Sequence, residues 1–400
     1  MNLPGLWDLL APIAADEFLN RHWQKAPLHR RVQDNGCYDQ LFRVEQIDDL
    51  LHAAAANASE FDYYAAGTSV PQADYTAEGN YVQLNRLLGL YAKGGTIHVS
   101  NIQKYVRSLR SFCRRMQDEL LVDCEADFWL TRVNQFTPYL HFDRYDIFIL
   151  QIHGRKRWRL FEPLHIPDSR IGAALAWEEV GEPIIDVVAE PGDLIYIPPH
   201  TPHVVTTHDV HSVHVGIGLH PLTWRQVLEI ALDEARSRPN ELSETVPLAF
   251  ANTARGSPKA MLDLLQARVR TTLAGIDGDA FATRIYDRFL VDSRHTDDRH
   301  VFEQLVDCAN PVEVQTRLAL RAGTQGRAFI AADGRATIAY SGGGHISAPA
   351  SHLRALEYVI ASRMPFTASD IDPKLPIQER IALLQRAVDA GLCRRADTAS

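Results

Sequence analysis

The chain has 400 residues, 46% of them hydrophobic and 23% charged, which exceeds what one ordinary core holds, so two or three domains are expected. A formal charge of −9 argues against a general affinity for nucleic acid or anionic membranes. No apolar run approaches the roughly eighteen residues of a spanning helix, residues 1–30 lack a basic start followed by a clean apolar stretch, and Cys37, Cys113, Cys124, Cys308 and Cys393 form no CxxC pair; a cytoplasmic protein without a zinc knuckle or disulfide framework is expected.

Residues 1–100 read as short helical runs and loops, and the segment Asp16–Arg31 ends a helix at Ala26-Pro27 before an extended piece, because a residue preceding proline avoids the helical region. From about Asp127 to Pro221 the texture changes to short β-rich runs at 145–152, 155–161, 184–189, 194–198 and 211–219, separated by turn signals; this is the pattern of a β-sandwich or barrel. After Pro221 the period becomes helical, with stripes through Trp224, Val227, Leu228, Ala231 and Ala235, through Leu262, Leu265, Val269 and Leu273, and through Phe281, Ile285 and Phe289. From about residue 312 the sequence predicts a helix, two strands (RAFIAA and RATIAYS) around the turn Asp333-Gly334, a glycine-rich stretch at Gly342–Gly344 and a final helix over 375–391. A small α+β module of winged-helix type fits that order.

The chemistry begins at His141-Phe142-Asp143. One residue separates the two polar side chains, so on a strand both project from one face while Phe142 packs on the other. Iron that must activate dioxygen takes two neutral imidazoles and one carboxylate on one face of its octahedron, and this pair supplies two of the three. The third ligand falls in or after the turn-and-strand unit PGDLIYIPPHTPH at 191–203, where His200, His203, His208, His211, His214 and His220 compete and spacing does not decide among them. Lys156 shares strand parity with Trp158 and Leu160, whereas Arg155, Arg157 and Arg159 occupy the other face. An inward lysine needs an anion, because a desolvated ammonium without a partner is costly; the far carboxylate of a dicarboxylate co-substrate would meet it, the alternative being a lysine that snorkels beside Gly154.

The run YLHFDRYDIFILQIHGRKRWRLFEP (139–163), the later PGDLIYIPP with its PH, and HSVHVGIG resemble the JmjC-type oxygenases of the cupin superfamily, in particular the ribosomal-oxygenase branch. FLNRHWQKAPLHRR is similar to that branch's entry segment. The resemblance implies a mainly β, double-stranded β-helix catalytic domain (JmjC/cupin) over 1–221, an all-α dimerisation region over 222–311 and a winged-helix-like α+β domain over 312–400. It places Fe(II) on His141, Asp143 and His203, the 2-oxoglutarate C5 carboxylate on Lys156, and Asn134 and His214 in the co-substrate pocket, with O₂ as the other co-substrate. Two departures stand near the substrate entrance: His200 where the turn commonly has glycine, and a short segment NQFTPYLH before the HxD.

The implied activity is hydroxylation of an Arg, His or similar side chain in a ribosomal protein or precursor peptide, by a homodimer that binds neither nucleic acid nor membrane. Demethylation of an N-methyl group would use the same site. Readings of other classes are a DNA-binding regulator with the barrel as a small-acid sensor, and a zinc or nickel cupin isomerase that needs no 2-oxoglutarate.

Overall fold

The computed structural model describes residues 5–31, 36–77, 80–120, 122–135, 139–164, 173–236, 258–278, 281–282, 284–285, 288, 301–321, 324–331, 333–341 and 344–396. The chain divides into two units, Met1–Pro221 and Leu222–Ser400. Among the described residues no helix is long and apolar enough to cross a membrane.

The first unit is built from antiparallel strands β1 (Leu28–Arg30), β2 (Phe61–Ala65), β3 (Thr68–Ser69), β4 (Thr76–Ala77), β5 (Tyr81–Val82), β6 (Thr96–Val99), β7 (Asp123–Thr131), β8 (Asp146–His153), β9 (Lys156–Leu160), β10 (Ile185–Ala189), β11 (Leu194–Ile197), β12 (His203–Thr206) and β13 (Ser212–His220). An eight-stranded sheet runs β1-β11-β8-β13-β7-β6-β2-β3, and a three-stranded sheet runs β10-β9-β12. The β-rich runs at 145–152, 155–161, 184–189, 194–198 and 211–219 correspond to β8, β9, β10, β11 and β13.

Alternation along each strand divides the large sheet into two faces. On β8, Phe148 and Leu150 face a core that includes Phe18, Leu10 and Phe42 from the N-terminal segments and Phe112 and Met116 from the helix Arg107–Leu120. Ile149, together with Ile195 and Ile197 of β11, faces Trp158, Leu160, Ala189 and Val205 of the small sheet. Each buried side chain of this size contributes about 1.5–3 kcal/mol of transfer free energy, so shifting β8 by one residue would exchange two cores at once. On β13 the outer positions are Val213, Val215, Ile217 and Leu219. Its inner positions are His214, Gly216 and Gly218, which line a cavity between the sheets. A glycine inside a strand has no side chain to pack, so the inner face of β13 leaves room for something else.

The N-terminal region holds more strand than the expected helices and loops, although β1 is the extended piece expected after Pro27. β1 pairs with β11, and β2, β3 and β6 extend the large sheet beyond β7. These strands are only 2 to 5 residues long, too short to show a period of two in sequence. The entry segment is tied down by Asp146, a buried carboxylate that accepts from the Tyr196 hydroxyl and from the Gln24 side chain. Between β8 and β9, Gly154 has φ +63°, and a Cβ there would lie 1.7 Å from the His211 carbonyl oxygen. Only glycine fits this turn.

The second unit contains helices Trp224–Arg236, Pro258–Ala274 and Val301–Cys308, then β14 (Leu318–Leu320), β15 (Gly326–Ile330), β16 (Ala336–Tyr340), β17 (Gly344–Ala348), helices Leu353–Ala361 and Ile377–Asp389, and β18 (Cys393–Arg395). The expected hairpin around Asp333-Gly334 is β15 and β16, and the expected last helix is Ile377–Asp389. The helix expected from about 312 lies earlier, at Val301–Cys308, and β17 adds a strand that the glycine-rich stretch concealed; residues 342–343 of that stretch, and Phe289, lie outside the described residues. A core of Leu318, Ile338, Tyr340, Leu356, Val359, Leu383, Leu384 and Val388 joins the sheets to the last two helices. The apolar stripes of the first two helices, by contrast, leave Trp224, Leu228, Leu262 and Leu265 exposed.

Candidate functional site

His141, Asp143 and His203 converge on one point: one ligand atom from each lies within 4.8 Å of the others. Backbone pairing sets this geometry. His141 and His203 form an isolated bridge in which the His203 N–H donates to the His141 carbonyl at 2.8 Å, and the His200 N–H donates to the Asp143 carbonyl at 2.7 Å. The HFD segment is thus a single bridge residue followed by an irregular turn, where a strand was expected. The alternation nevertheless holds, since Phe142 is fully buried against Leu140, Phe161 and Val204.

Both imidazoles have a fixed tautomer. Nδ1 of His141 lies 2.8 Å from the Tyr139 carbonyl and Nδ1 of His203 lies 3.1 Å from the Thr201 carbonyl. A carbonyl can only accept, so each Nδ1 carries the hydrogen and each Nε2 presents a lone pair. The two Nε2 atoms each stand 3.8 Å from Asp143 Oδ2. Burial, followed by the neighbouring His141, pushes His203 down to about 4, so its Nε2 is free to coordinate at neutral pH. Two imidazoles presenting Nε2 and a carboxylate on one side of an open space suit an octahedral metal that keeps positions for other ligands.

These residues open into a cavity of about 280 Å³ between the sheets. At one side Lys156 is 1% exposed, and its Nζ donates to Thr131 Oγ1 at 3.0 Å, which in turn accepts from Thr96 Oγ1 at 3.0 Å. Burial pushes Lys156 down to about 7. His214 is also buried and lines this cavity; its Nδ1 has no hydrogen-bond partner among the described residues, and burial, then Lys156, then His98, hold it well below the usual histidine range. A desolvated ammonium and a buried imidazole on one cavity wall are suited to an anion. Ile149, Ile197, Trp158 and Val205 supply its apolar walls.

Among the sequence-predicted residues, His141, Asp143, His203, Lys156 and His214 line this one cavity. Asn134 requires a correction: it is exposed at a left-handed turn (φ 54°), and its N–H donates to the His208 carbonyl outside the cavity. β7 ends at Thr131, and the turn that follows carries Asn134 away. His200 has the expected left-handed backbone (φ 61°), but its ring packs 5.5 Å from Phe142 and does not line the cavity. Residues 136–138 of the short segment before the HxD lie outside the described residues.

Sequence reading missed a third wall, formed by Tyr64, Asp127, Trp129, Tyr139 and Tyr145 with His98. The signal was present in β7, where Asp127, Trp129 and Thr131 alternate with Phe128 and Leu130. An apolar strand whose other parity reads Asp, Trp, Thr is lining something polar.

Residues 99–227 match the family described as JmjC domain. The chain is 27% identical over 265 residues to the bifunctional lysine-specific demethylase and histidyl-hydroxylase NO66 of Drosophila persimilis, an alignment covering 62% of this chain and 38% of that one. The NO66 of Drosophila erecta is 32% identical over 259 residues, covering 60% and 38%. The chain therefore spans well under half the length of these curated relatives. In fold it is similar to Escherichia coli ycfD, with a TM-score of 0.55 at 20% identity, covering 95% of this chain and 98% of that one. It is also similar to the Escherichia coli ribosomal oxygenase YcfD solved with cobalt and 2-oxoglutarate, with a TM-score of 0.53 at 19% identity, covering 96% and 98%.

Proposed function

We propose, from the premise that residues 99–227 of this chain are a JmjC domain, that the protein is an Fe(II)- and 2-oxoglutarate-dependent oxygenase that hydroxylates a polypeptide side chain. The observation that carries this reading is one cavity with three chemically distinct walls: a His-Asp-His metal face, a buried cation opposite an apolar slot, and an acidic and aromatic side. The two tautomer-fixed imidazoles and Asp143 would hold the metal, which in this family supplies oxidising power by coupling O₂ reduction to the decarboxylation of 2-oxoglutarate to succinate and CO₂. Lys156, steadied by Thr131, would bind the far carboxylate of that co-substrate, and His214 would line its slot. The chain's own contribution is positional: it holds the donors on one face, excludes water with Trp158, Ile149 and Val205, and presents a C–H bond from the third side.

That third side favours a cation. Asp127 and the rings of Tyr64, Trp129, Tyr139 and Tyr145 line it, and carboxylates beside aromatic faces attract guanidinium, ammonium or imidazolium groups. An Arg, Lys or His side chain of a basic protein, such as a ribosomal polypeptide, or of a precursor peptide in the cytoplasm fits this wall, and the chain's charge of −9 would steer it. Removal of an N-methyl group is the second reading, since hydroxylation of such a carbon uses the same geometry. Incubating the iron-loaded enzyme with 2-oxoglutarate and either a cell-derived peptide pool or a metabolite extract tests both. A peptide gaining 16 Da or losing 14 Da is the expected result, and succinate release stimulated by metabolites alone removes the polypeptide reading.

Residues 222–311 are assigned as a dimerisation region and 312–400 as a winged-helix-like module. Trp224, 82% exposed, and Leu228, Leu232, Leu262 and Leu265 form apolar helix stripes that a second copy would cover. Sedimentation at micromolar concentration is expected to return a dimer, and a monomer removes this assignment.

A further inference from the structure

A row of side chains crosses four strands on the inner face of the large sheet. Asp62 on β2 is directly opposite His98 on β6, His98 is opposite Trp129 on β7, and Trp129 is opposite His214 on β13. Cross-strand neighbours in such register are in contact, and the rings follow suit: His98 stacks on Trp129 at 4.0 Å, and Trp129 stacks on His214 at 5.9 Å. Asp127, two residues before Trp129 on the same strand face, completes the surroundings of His98.

Both nitrogens of His98 meet carboxylates. Nδ1 lies 3.2 Å from Asp62 Oδ2, and Nε2 lies 3.5 Å from Asp127 Oδ2. The first contact is a hydrogen bond and the second an ion-pair contact outside hydrogen-bond geometry; two carboxylates beside one ring favour its imidazolium form. Burial opposes that charge, yet Asp127 and then Asp62 outweigh it and raise His98 to about 9; His214, the other histidine of the row, is held well below the usual range by burial, then Lys156, then His98. Asp127 is fixed from a second side, since Oδ1 accepts the Asn101 N–H at 3.0 Å from a left-handed residue (φ 57°). A carboxylate on a cavity wall thus has one oxygen held by backbone and the other by a cation that is itself wedged between an aspartate and an indole.

We propose that His98, clamped between Asp62 and Asp127, is a positioning residue that fixes the Asp127 carboxylate as the acceptor for the cationic part of the substrate. This rests on the reading of the third wall as a cation site. His98 acts through Asp127 and belongs to neither the metal face nor the co-substrate slot. By cancelling one of two negative charges it also leaves the wall with a single net charge, which matches one guanidinium, ammonium or imidazolium.

Two substitutions separate positioning from packing. His98→Phe keeps a ring against Trp129 and removes both donors; His98→Gln removes the ring and keeps an amide donor within reach of Asp127. The probes are the acetylated, amidated tripeptides Gly-Arg-Gly, Gly-Lys-Gly and Gly-His-Gly, titrated into full-length protein loaded with manganese(II) and 2-oxoglutarate. For the probe that binds best, His98→Phe and Asp127→Asn are each expected to weaken binding about tenfold or more, as loss of an oriented charge-assisted contact requires. His98→Gln is expected to recover part of that loss, and 2-oxoglutarate affinity should not change. Histidine-selective NMR reads the clamp without substrate: one imidazolium persists at about pH 8 and is missing from His98→Phe. Wild-type binding by His98→Phe, poorer binding by His98→Gln than by His98→Phe, or absence of that imidazolium would overturn the proposal. If Asp127→Asn has no effect, or no tripeptide binds the wild type, the cation-site reading itself fails and takes the proposal with it.

Discussion

His203→Ala is expected to abolish stoichiometric metal binding while leaving the protein folded, and His141→Ala and Asp143→Ala are expected to do the same. Each residue supplies one of three donors whose ligand atoms lie within 4.8 Å of one another, and the loss of even an outer partner of a metal ligand typically costs about 10- to 100-fold in affinity, so losing a donor itself should exceed that. The fold should tolerate the change because the bridge between His141 and His203 is made by backbone, with its N–H to carbonyl contact of 2.8 Å untouched by the side chain. Metal analysis of anaerobically loaded protein, with circular dichroism to establish folding, makes the measurement. His200→Ala is the informative control. Its ring packs against Phe142 and lies off the cavity, so metal content should stay at one equivalent. Retention of metal by His203→Ala with loss in His200→Ala or His214→Ala would reassign the third donor.

How far the sequence reveals this site depends on how local each feature is. The inward parity of Lys156, Trp158 and Leu160 was readable because β9 is short and regular, and the outward arginines show it as clearly: Arg157 makes paired 2.6 Å contacts with Asp186 on the exposed face. The choice of His203 among six histidines was not local. It depends on His203 and His141 being brought opposite each other by an isolated backbone bridge between segments distant in sequence, and no spacing rule encodes that; the family resemblance supplied it. The third wall was missed for a related reason. β6 reads Thr-Ile-His-Val with all four residues buried, so it shows no alternation, and His98 becomes meaningful only when β2 and β7 are set beside it. Asn134 shows the opposite failure: the family resemblance implied a place in the co-substrate pocket, and the turn after Thr131 carries the residue away from it.

Lys156→Ala is expected to raise the 2-oxoglutarate KM by about thirty- to a thousand-fold, corresponding to about 2–4 kcal/mol for a buried charge-assisted contact, while metal stoichiometry stays unchanged. The lysine is fully enclosed, its Nζ donates to Thr131 at 3.0 Å and lies 5.9 Å from the Trp158 ring centre, and burial holds it down to about 7. A dicarboxylate placed against Nζ restores the ion pair and raises that value again, so binding above about pH 7 must take up a proton. Below pH 7 the lysine is already charged and 2-oxoglutarate affinity is at its highest; as pH rises through 7 toward the ordinary lysine range, affinity falls by up to about tenfold per pH unit, because the proton must be drawn from increasingly dilute supply. Calorimetry of 2-oxoglutarate binding near pH 8, in two buffers of different ionisation enthalpy, should therefore report uptake of close to one proton by the wild type and none by Lys156→Ala. Thr131→Val should lie between them, since it removes only the hydroxyl that steadies Nζ. An unchanged KM in Lys156→Ala, or proton uptake that persists in that variant, would place the co-substrate's far carboxylate somewhere other than on Lys156.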